Sequence, residues 1–227
     1  MKTFAKTALA SLLALGLGAG AVWAGQFEGE VDYHVTMGNG DQSDMTYLLK
    51  DGKARMEMTM KGHHMVDIID LPDNKMYMLM PDQKMYMSSD IPKPDKKTTD
   101  KAGAKIKKTG KTKTILGYKT DEWVAESQHG TTSVWGAKGI GYFIMGKGPG
   151  GKAPDSSWAD ELRQGGFFPL EVDSKGDKHG MTMVATKVEP KSLDASLFTV
   201  PSGYKDMSDM MKNMGNMPGM PSGMPKF

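Results

Sequence analysis

Met56, Met58 and Met60, then Met76, Met78 and Met80, then Met85 and Met87 recur at every second position between Arg55 and Met87. Thioethers are soft, polarizable and flexible. Such a series supports three chemistries: filling an irregular core, re-forming around a greasy ligand, or ligating a soft ion such as Cu(I) or Ag(I). A spacing of two places the methionines of one strand on one face of a sheet. A second set, Met207, Met210, Met211, Met214, Met217 and Met220, crowds the C-terminus, with Met-x-x-Met spacings at 207/210, 211/214, 214/217 and 217/220. Pro218, Pro221 and Pro225 with Gly215, Gly219 and Gly223 forbid a long helix there. Residues 206–227 are therefore expected to form one or two helical turns and then a disordered tail, whose methionines are the alternative, soft-metal reading.

Other chemistry is poorly supplied. The chain has no cysteine, so it has no thiol nucleophile, disulfide or cysteine lipid anchor. His63 and His64 are adjacent and point to opposite faces of a strand, and His34, His129 and His179 stand alone. Gly146 to Lys152 resembles a phosphate loop, but Ala153 stands where a magnesium-binding hydroxyl is needed and Pro154 follows at once. Asp67 and Asp70 read as surface or turn carboxylates. No serine sits in a nucleophile-elbow context. The reading is of a non-enzymatic protein with no cofactor.

The elements that would position the methionines are mostly strands. Phe27 to Met37 alternates Phe27, Gly29, Val31, Tyr33, Val35 and Met37 against polar residues, and Gly38-Asn39-Gly40 ends it. Met45 to Lys50, the Asp51-Gly52 turn and Ala54 to Lys61 form the next hairpin. A nine-residue echo, Leu71 to Met78 and Met80 to Met87, carries Pro-Asp in each copy, which pre-sets a tight turn and makes a meander of short strands. Thr114 to Glu126 and Thr131 to Trp135 read as a further antiparallel pair. Asp155 to Gln164, capped by Asp155 or Ser156 and stopped at Gly165-Gly166, is the helix of the domain. Phe167 to Val172 and Met181 to Val188 close the sheet.

Residues 1–24 have the form of a cleavable leader, with Lys2 and Lys6 ahead of a small, apolar run from Ala8 to Val22, then Val22-Trp23-Ala24. The expected mature N-terminus is Gly25. Nothing later is apolar for the roughly 18 residues that a membrane span needs, so the mature chain is expected to be soluble and periplasmic or secreted. The formal net charge of +2 falls to zero when Lys2 and Lys6 leave. Nine lysines against Asp95 and Asp100 are concentrated in 93–113. This segment, Lys93 to Lys113, reads as a solvated loop, with docking on an anionic envelope surface as its functional reading. A neutral, exported chain with almost no arginine is not expected to bind nucleic acid. A monomer is expected.

Phe27-Glu-Gly-Glu-Val-Asp-Tyr33, Ile68-Ile69-Asp70, Lys84-Met-Tyr86, Leu116-Gly-Tyr-Lys-Thr-Asp-Glu-Trp123 and Leu197-Phe-Thr-Val-Pro-Ser-Gly-Tyr204 together resemble the exported bacterial family catalogued as domain of unknown function 4412. The resemblance covers roughly residues 26–205. Through that family it implies the fold of the LolA and LolB lipoprotein carriers, a strongly curved antiparallel sheet forming a half-open barrel with helices over its mouth. LolA-type carriers hold acyl chains in the barrel, and the resemblance transfers no catalytic residue. The sequence thus predicts a mainly β (α+β) domain over 25–205 that binds a hydrophobic small molecule or lipid. Its cavity would be lined by Met56, Met58, Met60, Met76, Met78 and Met80, with Tyr77 and Trp123. Alternatives are Cu(I) or Ag(I) binding and an envelope structural or interaction role.

Overall fold

The computed structural model describes residues 27–60, 62–91, 105–127, 130–144, 157–176 and 180–208. Among the described residues, twelve strands form one open, curved sheet. They are β1 (Gly29–Met37), β2 (Gln42–Lys50), β3 (Lys53–Met60), β4 (His63–Asp70), β5 (Lys75–Met80) and β6 (Met85–Asp90), then β7 (Lys105–Ile115), β8 (Tyr118–Ser127), β9 (Gly130–Lys138), β10 (Phe167–Gly176), β11 (Met181–Pro190) and β12 (Lys205–Asp206). The order across the sheet is β12-β6-β5-β4-β3-β2-β1-β11-β10-β9-β8-β7. Two antiparallel meanders are therefore joined where β1 pairs with β11, Val31 opposite Val188 and Val35 opposite Met183. The sheet does not close into a barrel. Its edges are β7 and the two-residue β12, which runs parallel to β6.

Local chemistry explains most turns. Asp51 and Gly52 both have positive φ, 48° and 75°, the geometry of a two-residue hairpin that keeps the strands' twist. Pro81–Gln83 is a single 3-10 turn and the Leu71–Asn74 turn precedes β5, so the Pro-Asp echo does make two turns of a meander. One hairpin departs from the sequence reading. Thr114 to Glu126 is two strands, because Leu116 (φ 50°) and Gly117 (φ 84°) turn the chain between β7 and β8. Leucine rarely takes the left-handed conformation, so nothing but the glycine signalled it. Gly29 is fixed for another reason. A Cβ there would collide with the carbonyl oxygen of Glu189, so the close approach of β1 and β11 requires glycine.

The segment 93–113 also departs from expectation. Lys105 to Lys113 is not loop but most of edge strand β7, while 92–104 lies outside the described residues. The strand's lysines reach carboxylates on β8 and β10: Lys108 to Asp121 at 2.8 Å, Lys111 to Glu122 at 3.1 Å and Lys113 to Glu171 at 2.7 Å. Lys113 also sits 4.2 Å from the Trp135 ring centroid. Lysines suit an edge strand because they discourage further strand addition.

Helix α1 (Ser157–Gln164) matches the expected helix from its first described residue to its last. Gly165 N–H donates to the Glu161 carbonyl at 3.0 Å and Gly166 takes φ 69°, a left-handed C-terminal stop. Trp158, Ala159 and Leu162 are buried and the helix lies against one face of the sheet. The candidate caps Asp155 and Ser156 lie outside the described residues. With the segment Ile140 to Ile144, α1 fills the middle of that face with aromatic rings. Phe143 stacks on Tyr47 (5.1 Å between centroids) and Trp158 (6.2 Å), and meets Phe168 edge-on at 5.8 Å. Tyr33 O–H donates to the Pro169 carbonyl at 2.7 Å, and Tyr47 Oη accepts from Ile144 N–H at 3.1 Å. These buried hydroxyls are satisfied, as buried polar groups must be.

The opposite face of β2–β6 is covered by the chain after β11. Lys191 N–H donates to the Glu28 carbonyl (3.1 Å), Arg55 Nη1 donates to the Leu197 carbonyl (2.9 Å), and the 3-10 turn Ala195–Phe198 is capped by the Asp194 carboxylate. Phe198 packs with Leu48 and Leu193, while Val200 and Tyr204 pack against Val66, Ile68 and Leu79. This strap ends beside β6: Lys205 N–H donates to the Lys84 carbonyl and Met207 N–H to the Tyr86 carbonyl, both at 2.9 Å, and Ser88 N–H donates to Ser208 Oγ at 2.8 Å. Ordered pairing thus runs three residues past 205. The Phe-x-Val-Pro-x-Gly-Tyr segment, one of the five that carry the family resemblance, lies in the strap.

Candidate functional site: a methionine face around a buried carboxylate

Residues opposite one another in an antiparallel ladder share a face, so the register maps the methionines. One row across the sheet is Met45, Met58 and Met65; the next is Tyr47, Met56, Asp67, Met78 and Met87; Met80 pairs with Met85 at the far end. Met37, Met181 and Met183 continue the same face on β1 and β11. The sequence-predicted methionines of β3 and β5 are therefore brought together, with β4 between them.

They are not equivalent. Met56 and Met76, 7% and 4% exposed, belong to the aromatic core cluster. Met58 is half-buried against that cluster, and Met65, Met78, Met80, Met85 and Met87 are half-buried beyond it. Met60 lies on β3 opposite His63. Tyr77 is on the other face, packed with Tyr86 at 6.3 Å and with Val200 and Tyr204 under the strap; strand alternation separates it from Met76 and Met78. Trp123, on β8, packs edge-on against Phe167 at 5.2 Å in the other half of the sheet, with its Nε1 buried and unpaired. These two are not part of the methionine wall.

The residue missing from the sequence-predicted wall is Asp67. It is 5% exposed, not a surface or turn group. Met56 and Met78 are its direct cross-strand neighbours, Met58, Met76 and Met80 its diagonal ones with Ala54, and Met65 lies two residues back on the same face of β4. Direct cross-strand Cβ atoms lie about 5 Å apart and diagonal ones about 7–8 Å, so six thioether side chains ring one carboxyl. Its Oδ1 is buried with no hydrogen-bond partner. Burial alone pushes the carboxyl from its ordinary 3.8 up to about 7, because the low-dielectric wall disfavours the charged form. Asp70 is buried too, but Lys53 Nζ lies 2.5 Å from its carboxylate and Asp73 N–H donates to it at 3.2 Å, a structural turn role.

The remaining candidates divide by location. His34 Nδ1 lies 3.0 Å from Asp44 Oδ1 at an exposed site, and His64 Nε2 lies 3.5 Å from Glu57 in a half-buried pair. Among the described residues no three His, Cys, Asp or Glu side chains converge as a metal site. Met207 is paired through its backbone to β6, while Met210, Met211, Met214, Met217 and Met220, the Gly146 to Ala153 segment, His129 and His179 lie outside the described residues. Two cavities, about 330 and 370 Å³, open at the β1–β11 end by Met37, Gly38 and Gly180 and beside Asp32, Asp44 and Thr186. Neither is at the Asp67 ring. No described helix is long and apolar enough to cross a membrane.

Comparison with solved structures finds two crystal forms of PNGF-II, at 18% and 19% identity and TM-score 0.49. They align with 82% and 83% of this chain but only 32% and 33% of theirs, so the chain spans about a third of that protein. An uncharacterized conserved protein from Thermus thermophilus aligns over 79% of this chain and 90% of its own, at 10% identity and TM-score 0.48. Comparison with curated proteins finds no match. The family model of the domain of unknown function DUF4412 matches residues 27–204, from the Phe27 that opens the first strand motif to the Tyr204 that closes the strap, and the chain belongs to that family.

Proposed function

We propose that this protein is an exported, non-enzymatic binding protein that holds a hydrophobic or lipid-like ligand against the methionine face of β3–β6. The observation that carries the reading is the run of half-buried methionines on one face, Met58 against the cluster that α1 and Ile140 to Ile144 fill and Met65, Met78, Met80, Met85 and Met87 beyond it. A contiguous apolar surface of this kind marks a binding site more often than bare surface. Flexible thioethers let it re-pack around chemically varied partners. The resemblance to LolA-type acyl carriers supports the same reading. The leader-like residues 1–24 support export, and intact mass of the exported protein should begin at Gly25.

A fluorescent fatty-acid analogue tests it. The probe should bind the purified protein saturably, and the pair Met58→Gln and Met78→Gln should weaken it about tenfold or more, since a polar amide facing an acyl chain costs about 1–3 kcal/mol. Absence of saturable binding, or binding indifferent to both substitutions, would remove this function.

A further inference from the structure

We propose that the ring around Asp67 is a binding site for a soft monovalent cation of the Cu(I) or Ag(I) class, held by the thioether sulfurs of Met56, Met58, Met65 and Met78 with the Asp67 carboxylate as counter-charge. Three observations converge on it. Asp67 is the one carboxylate on this face of β4, it is nearly excluded from water, and its Oδ1 has no partner. Buried carboxylates are ordinarily paired with a base or coordinated to a metal. The neighbours that could have been bases are methionines: both direct cross-strand partners and three of the four diagonal positions on β3 and β5 offer thioether sulfur, the fourth being Ala54.

The donor set selects the ion. Calcium and magnesium need six or more oxygen ligands or retained water, and one carboxylate in an apolar wall supplies neither. An alkylammonium would bring three N–H donors, and the apolar wall around the one carboxylate offers no acceptor for those that it does not take. A d10 monovalent ion prefers soft sulfur and accepts low coordination numbers. One positive ion beside one carboxylate also leaves the buried site neutral, which avoids the cost of desolvating an unpaired charge. Reach is adequate, because each methionine has three rotatable bonds with which to bring its sulfur inward from a Cβ at cross-strand distance. The site goes beyond the hydrophobic-ligand reading and does not depend on it.

Silver titration of the purified full chain, followed by native mass spectrometry and by the methyl resonances of ¹³C-methyl methionine, tests the site. The C-terminal methionines offer thioethers as well, so the readout is the difference between wild type and variants of the face. Met58→Leu with Met78→Leu keeps apolar bulk and removes sulfur. It should abolish one tight Ag(I) equivalent, and Asp67→Asn should weaken that equivalent about tenfold or more. In the wild type, the Met58, Met65 and Met78 methyl signals should shift with the first equivalent. Single Met78→Leu, at a half-buried position, carries the comparison if the double variant does not fold. Equal silver stoichiometry and affinity in wild type and variants, or first-equivalent shifts confined to methionines after residue 206, would overturn the proposal. Fatty-acid binding without silver binding sinks this site alone, and silver binding without fatty-acid binding sinks the carrier function alone.

Discussion

Asp67→Asn should stabilise the metal-free protein more at pH 8 than at pH 4, by about 4 kcal/mol. The folded carboxyl titrates near 7 against an ordinary 3.8, and each pKa unit is worth about 1.36 kcal/mol. A group whose folded pKa is raised contributes stability that is complete below the unfolded value and is lost as pH rises through the folded one. For Asp67 the loss therefore runs from about pH 4 to pH 7, opposite in sign to the ordinary acid denaturation of paired carboxylates. Glu28, Glu30, Glu122, Glu189 and Asp194 act the ordinary way, held low first of all by hydrogen bonds from Lys50, Lys191, Thr109, Lys187 and the Ser196 backbone respectively. They cancel when the variant is compared with wild type at each pH. Few titratable groups face Asp67: β3 presents Ala54 and methionines, β5 presents methionines, β2 presents Tyr47, whose own hydroxyl burial pushes up, and His63 stands four residues away on β4. Urea unfolding at the two pH values measures the effect. A stability difference that does not change with pH would show that Asp67 is reached by water.

Phe198→Ala should cost about 3–5 kcal/mol and lower the melting temperature by roughly 10 °C, at about 2–4 °C per kcal/mol for a domain of this size. Phe198 is buried with Leu48 and Leu193 where the strap crosses β2 and β3. Its neighbours are held by the hydrogen bond from Arg55 to the Leu197 carbonyl and by the Asp194 cap, so the strap has little freedom to collapse into the space left. Thermal unfolding by circular dichroism gives the answer. A loss below about 1 kcal/mol would mean that the strap is held by its backbone pairing to β1 and β6, with Phe198 as filling.

The two results bear on opposite faces of the same strands. The strap covers the face of β2–β6 that carries Leu48, Val66, Ile68, Tyr77 and Leu79. That leaves the methionine face as the side of these strands on which half-buried apolar groups gather. The closing motif, Leu197 to Tyr204, thus reads as structural.

The strands β1, β2, β3, β5, β6, β9, β10 and β11, the Asp51-Gly52 hairpin, the Pro-Asp meander, α1 and the one-sided methionines were legible in the sequence. Each depends on residues a few positions apart: period two, turn chemistry, or a glycine stop after an amphipathic run. What only the tertiary structure decided is non-local. β1 pairs with β11 across Gly29 and Pro190, and β12, the last of the described strands, joins β6 in parallel. Lys105 to Lys113 becomes a strand because β8 and β10 supply the carboxylates that answer its lysines. A charged residue read from sequence is assigned to the surface because lone carboxylates are so seldom buried. Asp67 escapes that rule because β3 and β5 flank it with methionines from separate stretches of the chain, and its burial exists only once the three strands are in register.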